Sequence, residues 1–423
     1  MPDPVRSAEQ GRVGPTAYGG MLSAASAQES GAFALALSRA LSAYARRQAD
    51  TAYLFVPAAR QALLRGLSST GVPGEPVLEP ARTPRTPAEQ LPKTAPVAGE
   101  AARAASVPPA PGAEPCPRLT PTQNQVLSAE NMPRPAGDNG RGVHWIPTLR
   151  SSPEVVDRFV AEAVRMGMKW VVFLNDNARI GDNDYLVKRL VENGIMPVMR
   201  VYTDGLQPIE GDLAAMVRHY VSLGVPYFQL YNEPNLLLET KGQPPDPARY
   251  VDLWLPAARQ VIAGGGYPGL GALSPQGEFD DRLYLSRVLD ELLRRGEGEL
   301  LNHTWLAVHN YTGPRPLSDP DGFLRFRQYE AIMRAKLGRC LPMIGTEGGT
   351  HLGPGVDQRS QIEAVLGAYD HVARRLDPNF VTYTYWIIAN EAGGGRDPEF
   401  AGHALIRPDG PTALALALKG HNA

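Results

Sequence analysis

The chain of 423 residues has only two cysteines, Cys116 and Cys340. That is too few for a disulfide framework or a zinc cluster, and they read as two unrelated free thiols. The formal net charge of -2 gives no electrostatic case for nucleic acid or an anionic membrane. No apolar run approaches the roughly 20 residues that span a bilayer. The N-terminus, MPDPVRSAEQGRVGPTAYGG, lacks a basic region followed by an apolar one, so no secretory signal is expected. That leaves a cytoplasmic product, or export by another route. The eight histidines show neither His-x-His nor His-Glu-x-x-His spacing, so no metal and no cofactor is expected. A Gly-x-Ser-x-Gly elbow is also missing, which removes the common serine hydrolase arrangement.

What is present divides at about residue 118. Residues 71–118 hold twelve prolines in 48 positions and no aromatic residue. Such a stretch buries too little apolar surface to offset its ordering entropy. It reads as the core of a Pro/Ala-rich linker over 71–140. Before it lies a segment, 1–70, with two short helices within 27–67. There Phe33, Leu37, Leu41 and Tyr44 recur at helical spacing, and Pro57 is fit to open the second helix. These helices need an apolar surface to pack on, either the main domain or a protein partner.

From 141 to 423 the pattern alternates strand and helix. Strands are expected near 143–147, 169–174, 195–201, 226–231, 269–273, 304–309, 341–346 and 380–386. They are short and rich in Val, Ile and aromatics, as strands covered on both faces should be. Helices fit between them. Ser152-Pro153-Glu154 supplies a cap, a first-turn proline and an early acid, and Gly167 stops that helix. A second runs from Asp182 to Asn193. Later ones fit 247–263, 281–295, 322–337 and 358–375. This rhythm predicts an α/β fold, a (β/α)8 or TIM barrel. The runner-up, an open doubly wound sheet, usually shows a glycine-rich loop after its first strand. Here that strand ends in Trp145-Ile146-Pro147-Thr148. The glycine run at 263–271 precedes a strand and reads as a plain turn.

Barrel active sites lie at the C-terminal ends of the strands. The expected ends present His144 and Trp145, then Asn175-Asp176-Asn177, then Arg200 and Tyr202. They continue with Asn232-Glu233, Ser274 and Gln276, His309 and Tyr311, Glu347, and Tyr385 with Trp386. An Asn-Glu-Pro tripeptide alone means little, since roughly one chain in twenty of this length holds one by chance. Its position gives it weight, on strand four and in phase with a second glutamate on strand seven. Two carboxyl groups facing each other across a barrel mouth are what glycoside hydrolysis needs. Glu391, Asp176 and Asp204 compete as acids, but each sits where turn or loop chemistry explains it.

Taken together, Asn232-Glu233-Pro234, Glu347, His309-x-Tyr311 and Trp386 resemble the clan A glycoside hydrolases, which are retaining (β/α)8 enzymes. "YNEPNL" resembles family 39. His-x-Tyr and the strand-eight Trp resemble family 5, whose usual arginine after strand two is here replaced by Asn-Asp-Asn. The resemblance covers about residues 140–420. It implies that Glu233 is the general acid/base and Glu347 the nucleophile. It also implies that Asn232 binds the sugar 2-hydroxyl, that Tyr311 hydrogen-bonds Glu347, and that Trp386 floors the subsite of the attacked sugar. Arg200, His144, Trp145 and His309 complete the expected substrate-binding set. The expected partner is a carbohydrate, with no nucleic acid and no membrane span. A non-catalytic glycan-binding barrel and a transglycosylase remain alternatives.

Overall fold

The computed structural model describes residues 125–390 and 400–421. The helices expected within 27–67, the proline-rich stretch 71–118 and Glu391 lie outside the described residues.

Eight parallel strands close into a barrel in the order β1 to β8. They are β1 Arg141–His144, β2 Trp170–Asp176, β3 Met196–Tyr202, β4 Tyr227–Leu230, β5 Tyr267–Leu273, β6 Trp305–Tyr311, β7 Met343–Gly349 and β8 Phe380–Tyr385. Strand β1 pairs with both β2 and β8, so no edge is left open. Seven helices follow the first seven strands: α1 Pro153–Arg165, α2 Asp184–Glu192, α3 Leu213–Leu223, α4 Pro247–Ala263, α5 Asp281–Arg294, α6 Phe326–Leu337 and α7 Gln358–Ala373. A two-stranded hairpin, β9 Ile406–Arg407 with β10 Gly410–Pro411, precedes the last helix, α8 Ala413–Gly420. The expected (β/α)8 barrel is therefore what the chain forms. Among the described residues no helix is long and apolar enough to cross a membrane.

The sequence reading placed no helix between β3 and β4, yet α3 has clear end signals. The Asp212 carboxylate accepts from the Ala215 amide, and Gly224 closes the helix at a φ of 110°. The glycine run at 263–271 is only partly the expected turn. Gly269 and Gly271 lie inside β5, and a Cβ on Gly269 would stand 2.6 Å from the Trp305 indole. That strand is thin because a neighbouring tryptophan fills its place.

Two apolar layers organise the molecule. One lies between strands and helices and includes Phe159, Val171, Phe173 and Phe228. The other fills the barrel interior with Trp170, Val172, Met196, Val198, Tyr227, Trp305, Ala307 and Ile344. Residues alternate between the layers with the strand period of two. Leu127, Ala129 and Met132 join the interior layer and are buried. The Leu127 amide donates to Asn302 O at 2.7 Å, the Tyr227 hydroxyl to Pro133 O at 2.6 Å, and the Trp170 indole to Asp138 Oδ1 at 2.7 Å. So residues 125–140, counted with the tether on composition, are packed against the barrel. A few apolar side chains suffice to order that stretch because the interior gives them somewhere to go.

Candidate active site

The interior column of each strand carries the site upward from this packed layer. On β3, Met196 and Val198 are followed two residues later by Arg200. On β6, Trp305 and Ala307 are followed by His309 and Tyr311. The same alternation decides the pair on β1. His144 is fully buried, and its ring centroid lies 4.3 Å from that of Trp386. Trp145, one residue on, belongs to the outer layer. It packs edge-on to Phe159 of α1, and its indole N–H donates to Ser151 Oγ at 3.2 Å. The expectation that Trp145 contacts substrate is therefore corrected. A strand residue adjacent to an inward one points outward.

Strand β7 departs from simple alternation. Its register against β6 slips after Val308, which pairs with Gly345, so that His309 pairs with Glu347. The extra residue, Thr346, is a bulge of the kind that re-aims a side chain beside a functional site. Strand β4 stops at Leu230, and Tyr231 and Glu233 take left-handed φ values of 65° and 34°. Asn235 holds this turn in place. Its amide donates to Ser274 O at 2.8 Å and Phe279 O at 3.1 Å and accepts from the Ser274 amide at 2.9 Å. The second amide of the Asn-Glu-Pro-Asn run thus ties β4 to the end of β5, while the first faces the site.

Glu233 and Glu347 are 3% and 6% exposed. His309 stands between them. Its Nδ1 lies 2.8 Å from Glu233 Oε1, and its Nε2 lies 3.7 Å from Glu347 Oε1. Arg200 Nη1 donates to Glu347 Oε1 at 2.6 Å, and the Tyr311 hydroxyl donates to Glu347 Oε2 at 2.8 Å. The two glutamates therefore sit in unlike surroundings. Burial pushes the Glu233 carboxyl above its ordinary range, and the His309 contact only partly offsets this. Burial would also raise Glu347, but His309, Arg200 and the Tyr311 hydroxyl together outweigh it and hold the carboxyl below the usual range. Burial opposes a charge on His309, yet the two carboxyls on either side raise it above an ordinary histidine. His144 is the reverse case. Burial drives it down to about 4, so the ring is neutral at physiological pH. Its Nδ1–H donates to Trp145 O at 2.9 Å, which leaves Nε2 as a buried acceptor without a partner.

One ligand atom from each of Glu233, His309 and Glu347 lies within 4.8 Å of the others, the one such grouping among the described residues. Within this group Glu233 Oε1 is hydrogen-bonded to His309 Nδ1, and the Glu347 oxygens accept from Arg200 and Tyr311.

Trp386 is buried to 7% exposure, with His144 on one side and Phe400 at 5.2 Å. Asp176 pairs with Arg179 at 2.9 Å, and Asp204 pairs with Lys241 at 2.6 Å on the surface, so neither enters the cluster. Two neighbours went unnoticed in the sequence. His351, after β7, donates from Nε2 to Trp386 O at 2.6 Å, and its ring lies tilted against His403 with centroids 4.0 Å apart. Glu239, six residues past Glu233, accepts from Asn232 Nδ2 at 2.7 Å. His351 lies two residues past β7 and was passed over in favour of Glu347, whereas Glu239 lies nine residues past β4, beyond the reach of strand-end reasoning.

The Arg200–Glu347 pair is buried on both sides, which fixes a stability prediction. Arg200→Met is expected to cost about 3–5 kcal/mol at pH 8, because a carboxylate is left buried without its cation. In that variant the folded-state pKa of Glu347 rises above the unfolded value. The penalty is therefore present at high pH and fades as pH falls and Glu347 takes up a proton. Urea unfolding at pH 8 and pH 5 measures this. A gap between variant and wild type that does not narrow at pH 5 would refute it.

No family model matches the chain and no curated protein matches it. Solved structures similar to it include a GH128 (subgroup II) endo-β-1,3-glucanase from Pseudomonas viridiflava. That match has 17% identity over 67% of this chain and 98% of that one, with a TM-score of 0.47. A family 39 glycoside hydrolase from Bacteroides cellulosilyticus is 16% identical over 69% of this chain and 65% of that one, with a TM-score of 0.46. An endo-β-1,4-glucanase from Xanthomonas axonopodis pv. citri is 12% identical over 66% of this chain and 97% of that one, with a TM-score of 0.43.

Proposed function

We propose that the chain is a clan A-type glycoside hydrolase that cleaves β-glycosidic bonds in an oligo- or polysaccharide with retention of anomeric configuration. The observation that carries this is the Glu233–Glu347 pair. The two carboxyl groups are buried on opposite sides of one mouth, with an oxygen of each within 4.8 Å of the other. One is biased toward its acid form and the other toward its anion. Retaining enzymes hold their carboxyl groups about 5–5.5 Å apart, and inverting enzymes leave room for a water between them at roughly 6.5–9.5 Å.

In the first step a Glu347 oxygen attacks the anomeric carbon. The bond from that carbon to the departing oxygen breaks, and Glu233 gives its proton to that oxygen. The product is a glycosyl ester of Glu347. In the second step water attacks the same carbon and passes a proton to Glu233, and the ester bond breaks to restore the Glu347 carboxylate. Two inversions give net retention. Arg200 and Tyr311 hold the attacking carboxylate ionised and oriented at no cost in reorganisation. Asn232 binds the 2-hydroxyl of the attacked sugar, the His144 Nε2 accepts from a hydroxyl, and Trp386 supports the apolar face of the ring. His309 keeps the two carboxyls in register.

Reducing-sugar and aryl-glycoside release by the full chain over a panel of β-linked substrates tests this, with NMR of the first-formed anomer. Release of the β-anomer supports the reading and identifies the sugar and linkage. Release of the α-anomer would overturn the retaining mechanism. No release from any member, with binding to the same panel, would overturn the enzyme reading in favour of a glycan-binding barrel.

A further inference from the structure

Glu239 is a carboxyl group that the proposed reaction leaves without a task, although it touches a residue that the reaction uses. We infer that Glu239 is a positioning residue, fixing the Asn232 side-chain amide in the orientation that binds the 2-hydroxyl of the sugar being cleaved. This rests on the glycosidase reading above.

The two ends of an asparagine amide are nearly identical in shape and opposite in hydrogen-bonding character. A half-turn about its last torsion would exchange donor for acceptor. An ionised carboxylate only accepts, so above its raised pKa of about 7 Glu239 selects Nδ2. Asn232 Nδ2 donates to Glu239 Oε1 at 2.7 Å, and Asn232 Oδ1 is buried with no other partner. With one Nδ2 hydrogen committed, the second hydrogen and Oδ1 are assigned before any ligand arrives. The Glu239 backbone is itself held. Its carbonyl accepts from the Leu206 amide at 2.7 Å, and just before it the Leu237 amide donates to Glu278 Oε2 at 2.9 Å. Three loops, from β3, β4 and β5, thus converge to place one side-chain amide beside Glu233. Positioning of this sort acts on the transition state, because the 2-hydroxyl contact strengthens as the oxocarbenium ion develops.

Burial pushes the Glu239 carboxyl up to about 7, opposed by Arg200 and the Asn232 amide and reinforced by the carboxyls of Glu233 and Glu347. Glutamine is therefore a close substitute near neutral pH, keeping an acceptor oxygen at the same reach. Alanine removes the acceptor.

The test compares an aryl β-glycoside with its 2-deoxy analogue. The proteins are wild type, Glu239→Ala, Glu239→Gln, Asn232→Ala and the Glu239→Ala/Asn232→Ala double variant. Glu239→Ala is expected to lower kcat by roughly 10–100-fold on the 2-hydroxy substrate, with KM moving by less than about threefold, because a misplaced contact costs mainly in the transition state. Glu239→Gln should recover most of that loss. On the 2-deoxy substrate the loss should shrink to within about threefold, and the double variant should be no slower than Asn232→Ala alone. Equal losses on both substrates, or additive losses in the double variant, would overturn the inference and leave Glu239 a structural group. Failure of the wild type to turn over either substrate would overturn the glycosidase reading, and this inference with it.

Discussion

Glu347→Gln is expected to lower kcat on aryl β-glycosides by roughly 10⁴–10⁶-fold, the range seen when a covalent nucleophile is removed. Glutamine nearly matches the shape of the glutamate, so Arg200 and Tyr311 keep a partner of similar size. What is lost is the anion that attacks the anomeric carbon. The role is then separated from simple damage by added azide. Glutamine still fills the face that Glu347 occupied, so the rescue uses Glu347→Ala, in which azide can enter the vacated space and expel the aryl group directly, giving an α-glycosyl azide by one inversion. Recovery of turnover with azide, with an α-product by NMR, identifies Glu347 as the nucleophile. If either variant retains wild-type kcat, or azide yields only the β-product, the assignment fails. Because the Arg200 charge is left without a counter-charge, each variant's unfolding transition must be measured alongside.

Glu233→Gln should behave differently. Proton donation contributes roughly 10²–10⁴-fold when the leaving group is a poor one. A sugar or alkyl glycoside is expected to lose about that factor. A dinitrophenyl glycoside departs without help, so its glycosylation step should be nearly unaffected, and the ester on Glu347 should accumulate as a burst. The pH profile should change as well. In the wild type, kcat/KM falls on the acid side as Glu347 takes up a proton, below the ordinary carboxyl range because its pKa is lowered. It falls on the alkaline side as Glu233 gives up its proton, above that range because its pKa is raised. Glutamine at 233 removes the alkaline limb and leaves the acid limb in place. Retention of both limbs, or an equal loss on both leaving groups, would show that Glu233 is not the general acid.

Much of this was legible in the residues. All eight strands fall within a few positions of the expected ones, since short apolar runs between capped helices have few other readings. Glu233, Glu347, His309, Tyr311 and Arg200 form one connected cluster in the structure. The misses have physical causes. Trp145 was assigned to the mouth because it adjoins His144, whereas strand neighbours face opposite ways. Composition assigned residues 125–140 to the tether, but three apolar side chains were enough to dock that stretch. Helix α3 was overlooked although Asp212 and Gly224 mark both its ends.

The sequence by itself determined the alternation of strands and helices, and with it the barrel and the strand ends at which chemistry would gather. Those features are local, being set by side-chain period, caps and turns within a dozen residues. Only the tertiary structure decided which of those end residues touch. The bulge at Thr346 brings Glu347 opposite His309, and Arg200, 147 positions away along the chain, closes on the same carboxylate. Glu239 reaches Asn232 through a loop with no periodicity to read. Register slips and loop paths depend on what packs against them from distant parts of the chain, and the pKa of each glutamate follows from those neighbours.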